Sequence, residues 1–173
     1  QQDIFIAKMK NPLEIDGERA KISSPTYEWE KHGDLDDPDL PHVNVNEGPQ
    51  FLAHKDRIFI VFSASGCWTD NYSLGLLSFN GGDDLLEATA LGKSEEPIFT
   101  QAPQNGVYAP GHNSFFKSPD GKQDWILYHA NSKSGQGCGR FRSPRMQRLY
   151  WDTSGMPYLG PPLPENVILD IPR

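Results

Sequence analysis

The apolar residues of this chain fall into short runs of strand length that are separated by turn-forming residues. Residues 57–62 are almost continuously apolar, which predicts a strand buried on both faces, whereas residues 3–9 alternate between apolar and polar. Further strands are predicted at 73–79, 114–117, 124–129 and 146–151, with a tight turn at Pro119-Asp120-Gly121. Residues 83–90 look helical, but Gly and Pro flank them closely, so we expect a loop with at most one helical turn.

These strands form an internal repeat. A strand at 51–54, a turn and a strand at 57–64 match a second set at 115–118 and 124–130, and a polar loop and a third strand follow each set. The third strands begin near Ser73 and Arg145, and residues 3–9 resemble one more third strand about 70 residues before Ser73. A four-stranded unit with this period predicts an all-β fold made of β-propeller blades. The alternative is a small β-sandwich, in which the repeats would be ordinary hairpins.

A chain that starts at the third strand of a blade holds roughly two and a half blades. Propellers close with at least about four, because each blade buries its faces only against its neighbours. We therefore expect an N-terminal portion of the same propeller outside this sequence, on the same or on a separate chain.

Composition excludes several classes of protein. The 173 residues include 16 Lys and Arg against 23 Asp and Glu, a net charge of −7, and such an acidic surface repels nucleic acid. No apolar run approaches the ~18–20 residues that span a bilayer, so no membrane partner is expected. The 16 Gly and 15 Pro residues argue against a helical bundle.

A Gly-Pro turn and a Pro-Gly turn carry the first candidate catalytic residues. Glu47 stands in Asn46-Glu47-Gly48-Pro49-Gln50, directly before a predicted first strand, where a carboxyl at the propeller channel would be partly desolvated and suited to general-acid catalysis. His112 in Pro110-Gly111-His112-Asn113 precedes the next first strand, so we predict that Glu47 and His112 occupy equivalent positions and face one axis. The alternatives are a solvated loop carboxylate and a structural histidine.

The loops after the second strands carry the remaining candidates. Trp68 could form a wall for sugar stacking or simply pack within its loop. Cys67 and Cys138 lie in corresponding loops of the two repeats, which favours a disulfide but leaves free thiols open. Among Arg140, Arg142, Arg145 and Arg148, one arginine that reached the channel could bind hydroxyls through two donors. Asn71-Tyr72-Ser73 is a glycosylation sequon, which has meaning only in a secreted protein.

Taken in order, these motifs resemble glycoside hydrolase family 43, and specifically its arabinofuranosidase-like members. The resemblance covers most of the chain and is carried by segments 3–12, 22–30, 45–50, 63–70, 110–115 and 146–151. It implies a five-bladed propeller in which Glu47 matches the general acid of the Glu-Gly-Pro motif. It further implies that His112 lies at the central channel and contacts a metal, often calcium, that is largely coordinated by water. Arg142 matches the substrate-contacting arginine of the family.

The resemblance also implies two aspartates, a general base and a residue that orients the acid, and both motifs would precede Asp3. Residues 1–173 are thus expected to be the C-terminal portion of a single β-propeller catalytic domain. The implied activity is inverting removal of terminal α-L-arabinofuranosyl residues from arabinan or arabinoxylan by a secreted enzyme without an organic cofactor. Alternatives are a β-xylosidase or endo-arabinanase of the same family, or a non-catalytic carbohydrate-binding module that uses Trp68 and Arg142.

Overall fold

The computed structural model describes residues 1–87 and 92–170, which form an all-β structure. The strands of these ranges are β1 (Ile4–Ile6), β2 (Met9–Asn11), β3 (Glu14–Ile15), β4 (Ala20–Ser23), β5 (Asn46–His54), β6 (Arg57–Ala64), β7 (Ser73–Asn80), β8 (Gly92–Lys93), β9 (Tyr108–Lys117), β10 (Asp124–Asn131), β11 (Ser143–Trp151) and β12 (Pro157–Tyr158). Their helical segments are two 3₁₀ turns, Glu28–Glu30 and Pro103–Asn105. Among the described residues, no helix is long and apolar enough to cross a bilayer.

Two four-stranded antiparallel sheets confirm the predicted repeat. One has the order β5-β6-β7-β8 and the other the order β9-β10-β11-β12, so both follow the chain as a meander. β1 pairs with β4 in a separate two-stranded sheet, and β2 pairs with β3 in a hairpin. The tight turn at Pro119-Asp120-Gly121 is also present, with Gly121 in the left-handed region at φ 72° and the Ser118 amide donating to the Gln123 carbonyl.

Three predicted boundaries were wrong. The single strand at 3–9 is two strands, because β1 pairs with β4 whereas Met9 to Asn11 turn away into the exposed β2–β3 hairpin. β5 and β9 begin earlier than predicted, so Glu47 and His112 lie within strands rather than before them. A bulge in each strand lets pairing continue past the Gly-Pro and Pro-Gly sequences. Of the predicted loop at 83–90, residues 83–87 form turns and residues 88–90 lie outside the described residues.

β6 is buried on both faces, as its continuous apolar pattern predicted. Phe59 and Val61 join the core that lies between the two four-stranded sheets, where the ring of Phe99 meets Tyr128 edge-on at 4.9 Å. Ile60 and Phe62 point the other way and pack with Ile4, Ile22, Leu77 and Phe79, which include side chains of β1 and β4. Full burial of one such side chain stabilises the folded state by about 1.5–3 kcal/mol. Because β6 has side chains in both cores, it packs against the second four-stranded sheet on one face and against the β1–β4 sheet on the other.

Candidate active site

Glu47 lies at the beginning of β5, where it pairs with Ser63 of β6. Its side chain is half-buried, and its Oε1 atom accepts a 2.6 Å hydrogen bond from the phenol of Tyr72. Tyr72 is the residue directly before β7, so the acid is held by the same sheet that carries it. No other hydrogen bond of the described side chains engages the Glu47 carboxylate, which leaves Oε2 free for a ligand.

Tyr72 is fixed from several sides. Its ring lies directly on the backbone of Gly111, where a Cβ atom would stand only 2.2 Å from the ring carbon Cε1. The guanidinium carbon of Arg142 lies 5.1 Å from the ring centroid, within range of a cation–π contact. Burial first, and the negative charge of Glu47 second, raise the pKa of Tyr72 well above its ordinary value. The phenol therefore remains protonated and acts as a donor to Glu47.

Arg142 is the residue directly before β11 and is anchored by its own sheet. Its Nε donates to Nδ1 of His129 at 2.6 Å, Nη1 to the carbonyl of Ala109 and Nη2 to the carbonyl of His129. Three of the five N–H donors of the guanidinium are thus used, and two remain. Because Nδ1 of His129 accepts from Arg142, the proton of that imidazole is on Nε2. Burial, the charge of Arg142 and the proximity of His112 lower the pKa of His129 to about 4, so this imidazole is neutral near pH 7.

His112 lies against Gly48, the residue after Glu47, but the predicted equivalence of Glu47 and His112 is wrong by one position. Glu47 pairs with Ser63 of β6, and the corresponding pair in the second sheet joins Gly111 to His129. The counterpart of His112 is Gly48, and both have left-handed backbones, with φ values of 52° and 55°. The prediction aligned the two motifs by sequence alone, and the bulges in β5 and β9 shift the true correspondence by one residue. The His112 ring nevertheless lies against Gly48, where a Cβ atom would be 3.3 Å from its Nδ1.

The loops that lead to Tyr72 and Arg142 are joined to each other. Cys67 and Cys138 form a disulfide between them, as their corresponding positions predicted. Asp70 adds a second link, because it accepts hydrogen bonds from the Ser134 hydroxyl and the Gly135 amide. Both links precede Tyr72 and Arg142 in the chain. The side chains of these two residues contact each other, and Tyr72 contacts Glu47.

Trp68 and Asn71 belong to the first of these loops. The indole ring of Trp68 covers Gly66, and its N–H donates to the Gly33 carbonyl at 3.1 Å, so much of this side chain packs within the protein. Asn71 is exposed in the turn before Tyr72. Its glycosylation stays a prediction.

A buried charge network supports the strand that carries Glu47. Glu30 is fully buried, and its Oε1 contacts Nζ of Lys93 at 2.6 Å and Nδ2 of Asn46 at 2.9 Å. Its Oε2 accepts from the backbone amides of Thr26 and Tyr27. Asn46 directly precedes Glu47, so this network fixes the start of β5.

Sequence reasoning missed Tyr72, His129 and Glu30. The correspondence of the repeats contained a signal for Tyr72, because Tyr72 and Arg142 each directly precede a third strand, and Arg142 had been singled out. Glu30 stands in Tyr27-Glu28-Trp29-Glu30, which has the pattern of an exposed segment. Nothing in that pattern indicates that one of the two carboxylates is fully buried.

The described residues do not form a calcium site by themselves. They contain no group of three or more His, Cys, Asp or Glu side chains arranged to hold a metal ion. Calcium takes about six to eight oxygen ligands, and the exposed imidazole of His112 supplies none. The contact of His112 with a channel calcium stays a prediction.

Successive four-stranded meander sheets that pack face to face are typical of the class of β-propeller proteins. The model of the glycosyl hydrolases family 43 matches residues 1–157, and the chain belongs to this family.

Named relatives and solved structures agree with this assignment. An extracellular exo-α-(1→5)-L-arabinofuranosidase of Streptomyces avermitilis is 40% identical over 169 residues, which are 95% of this chain and 33% of that protein. The α-L-arabinofuranosidase 43 of Humicola insolens is 35% identical over 94% of this chain and 33% of its own length. The crystal structure of an α-L-arabinofuranosidase from Lactobacillus brevis superposes with a TM-score of 0.84 at 32% identity, covering 96% of this chain and 49% of that one. The chain thus spans about a third of the curated relatives and about half of this solved chain.

Proposed function

We propose that this chain supplies the general-acid half of an inverting α-L-arabinofuranosidase. The observation that carries the proposal is the half-buried carboxyl of Glu47, held at Oε1 by Tyr72 and free at Oε2, next to Arg142 and the exposed ring of His112. The arabinofuranosidase names of the relatives support the substrate class. The word extracellular in the name of the Streptomyces avermitilis relative supports secretion.

We further propose that residues 1–173 are the C-terminal portion of one five-bladed propeller, and that an N-terminal portion completes it. Two apolar surfaces support this proposal. Phe5 and Phe51 are 48% and 63% exposed beside the β1–β4 sheet, and Tyr150 and Tyr158 are 52% and 60% exposed at the last sheet. Blades normally bury such side chains against their neighbours. One surface lies where β5 meets the β1–β4 sheet and the other lies on the last sheet, and the remaining blades would pack against both.

In the completed site, Glu47 would protonate the glycosidic oxygen while a carboxylate of the N-terminal portion activates water on the opposite face of the sugar. Inversion requires these carboxyls to stand about 6.5–9.5 Å apart, so that water fits between them. The two unused donors of Arg142 would bind sugar hydroxyls, and the exposed part of Trp68 would border the sugar. His112 would contact a channel cation that is otherwise largely coordinated by water.

The test replaces Glu47 by Gln in the complete enzyme. Hydrolysis of α-1,5-arabino-oligosaccharide, whose leaving group needs protonation, should fall by about 10²–10⁴-fold. Hydrolysis of 4-nitrophenyl α-L-arabinofuranoside should fall much less, because its phenolate leaves without a full proton transfer. Glu28→Gln is the matched control, since the Glu28 side chain is 91% exposed and its ion pair among the described residues is with Lys31.

Undiminished hydrolysis of both substrates by Glu47→Gln would show that Glu47 is not the acid. A panel that adds an aryl β-xyloside and intact arabinan distinguishes an arabinofuranosidase from a xylosidase or an endo-arabinanase. Sugar binding without turnover in the complete protein would instead favour a binding module.

A further inference from the structure

We propose that Tyr72 is a positioning residue for the general acid, and that its phenol assigns the transferable proton of Glu47 to Oε2. The inference rests on the proposed role of Glu47. It adds a residue to the site and states which oxygen of the acid faces the sugar.

The assignment follows from the direction of the hydrogen bond between the two side chains. The phenol of Tyr72 has one proton, and at 2.6 Å from Oε1 it donates that proton to Glu47. A neutral carboxyl has a single proton of its own. Because Oε1 is already an acceptor, the proton of the acid is on Oε2, the oxygen that no described side chain engages.

The residues packed around Tyr72 restrict the movement of its ring. The hydroxyl of Ser63 faces the phenol oxygen and also accepts the backbone N–H of His112 at 2.8 Å. The backbone of Gly111 closes one side of the ring, and Arg142 covers the ring from 5.1 Å. A ring held in this way cannot follow a moving carboxylate. It therefore fixes the carboxylate.

The same hydrogen bond should also help the reaction proceed. As the proton leaves Oε2 for the glycosidic oxygen, negative charge develops on the carboxylate. A hydrogen bond to a charged acceptor is roughly twice as strong as one between neutral groups. The contact of Tyr72 with Glu47 is therefore stronger in the transition state than in the ground state, which is the condition for an interaction to raise kcat.

The other groups that face this pair set its pH response. Arg142 is a permanent cation, His129 is neutral near pH 7 because burial and the charge of Arg142 lower its pKa to about 4, and the exposed ring of His112 lies beside Gly48. Removing the phenol removes the donor that favours the ionised acid. The alkaline limb of the kcat/KM profile should accordingly move to higher pH.

The experiment compares Tyr72→Phe with Tyr128→Phe in the complete enzyme. Tyr128 is an equally buried tyrosine whose phenol donates to Gln147, away from the acid. Tyr72→Phe should lower kcat for the arabino-oligosaccharide about 5- to 15-fold, the difference between a hydrogen bond to a charged acceptor and one to a neutral acceptor. It should lower kcat for the nitrophenyl substrate less than about 3-fold. Tyr128→Phe should preserve the ratio of the two activities.

Two results would overturn the inference. An equal loss on both substrates, including the total loss that misfolding would cause, would mean that Tyr72 has only a structural role. No loss on the oligosaccharide, or an alkaline limb that stays in place, would mean that Glu47 needs no such partner. The proposed function is tested separately: if Glu47→Gln discriminates between the substrates and Tyr72→Phe does not, only the role of Tyr72 fails.

Discussion

Replacing Lys93 with Met should destabilise the protein strongly, because it leaves the charge of Glu30 buried without its counter-ion. Lys93 Nζ lies 2.6 Å from Oε1 of Glu30, whose side chain is fully buried, and the side chain of Lys93 itself is only 16% exposed. Burial lowers the pKa of Lys93, which shows that its charge too is taken out of water at a cost.

The magnitude follows from the contacts that remain. Removing one partner of a buried ion pair costs about 3–5 kcal/mol. Glu30 would keep three donors, the amides of Thr26 and Tyr27 and the side chain of Asn46. We therefore expect a loss near the lower end, about 3 kcal/mol, measured by urea unfolding of the complete enzyme at pH 7. The double variant with Glu30→Gln should recover part of the loss, because it has no unpaired buried charge.

Lys117→Met is the matched control. Lys117 also contacts a carboxylate at 2.6 Å, that of Asp124, but its side chain is 61% exposed. Exposed pairs contribute only about 0–1 kcal/mol. Equal losses in Lys93→Met and Lys117→Met would refute the argument that burial, rather than distance, sets the value of these ion pairs.

Three further outcomes are expected in the complete enzyme. Replacing Cys67 and Cys138 with Ser removes a cross-link between residues 71 positions apart, so the free energy of unfolding should fall by about 4 kcal/mol, and reductant should destabilise the parent but not the double variant. Gly111→Ala should displace the ring of Tyr72 and reduce oligosaccharide hydrolysis, whereas Gly139→Ala, whose Cβ atom would meet nothing within 4 Å, should be as active as the parent. His129 takes up a proton near pH 6.5 when unfolded but only near pH 4 when folded, so stability should fall as the pH decreases through this window, and His129→Asn should lose part of that dependence in urea titrations at pH 7 and 4.5.

Most of the fold could be predicted because it is encoded locally. The continuous apolar run of β6 indicated burial on both faces. In the structure, Phe59 and Phe62 are buried in two different cores, one on each face of the sheet. The repeat was visible because the two four-stranded units have strands of similar length in the same order. The pairing of Cys67 with Cys138 followed from the repeat, since corresponding loops of adjacent blades lie side by side.

The site was harder to predict, because its geometry depends on contacts that no local pattern contains. A bulge shifts the register by one residue, and only the pairing of Glu47 with Ser63 and of Gly111 with His129 reveals that shift. Tyr72 reaches Glu47 across 25 residues of sequence. Glu30 lies in a 3₁₀ turn, and its burial depends on Lys93, which lies on β8 of the β5-β6-β7-β8 sheet.

The site arises where corresponding positions of two repeats carry different side chains. Directly before the third strand, one repeat has Tyr72 and the other has Arg142, and the disulfide between their loops brings the guanidinium over the ring. At the left-handed bulge position, one repeat has Gly48 and the other has His112, and the imidazole lies where a side chain on Gly48 would be. Left-handed backbone costs a non-glycine residue about 1–2 kcal/mol, so His112 is held there by its surroundings rather than by its own preference. The environment of Glu47 is thus a property of the junction between two blades, and neither repeat could provide it alone.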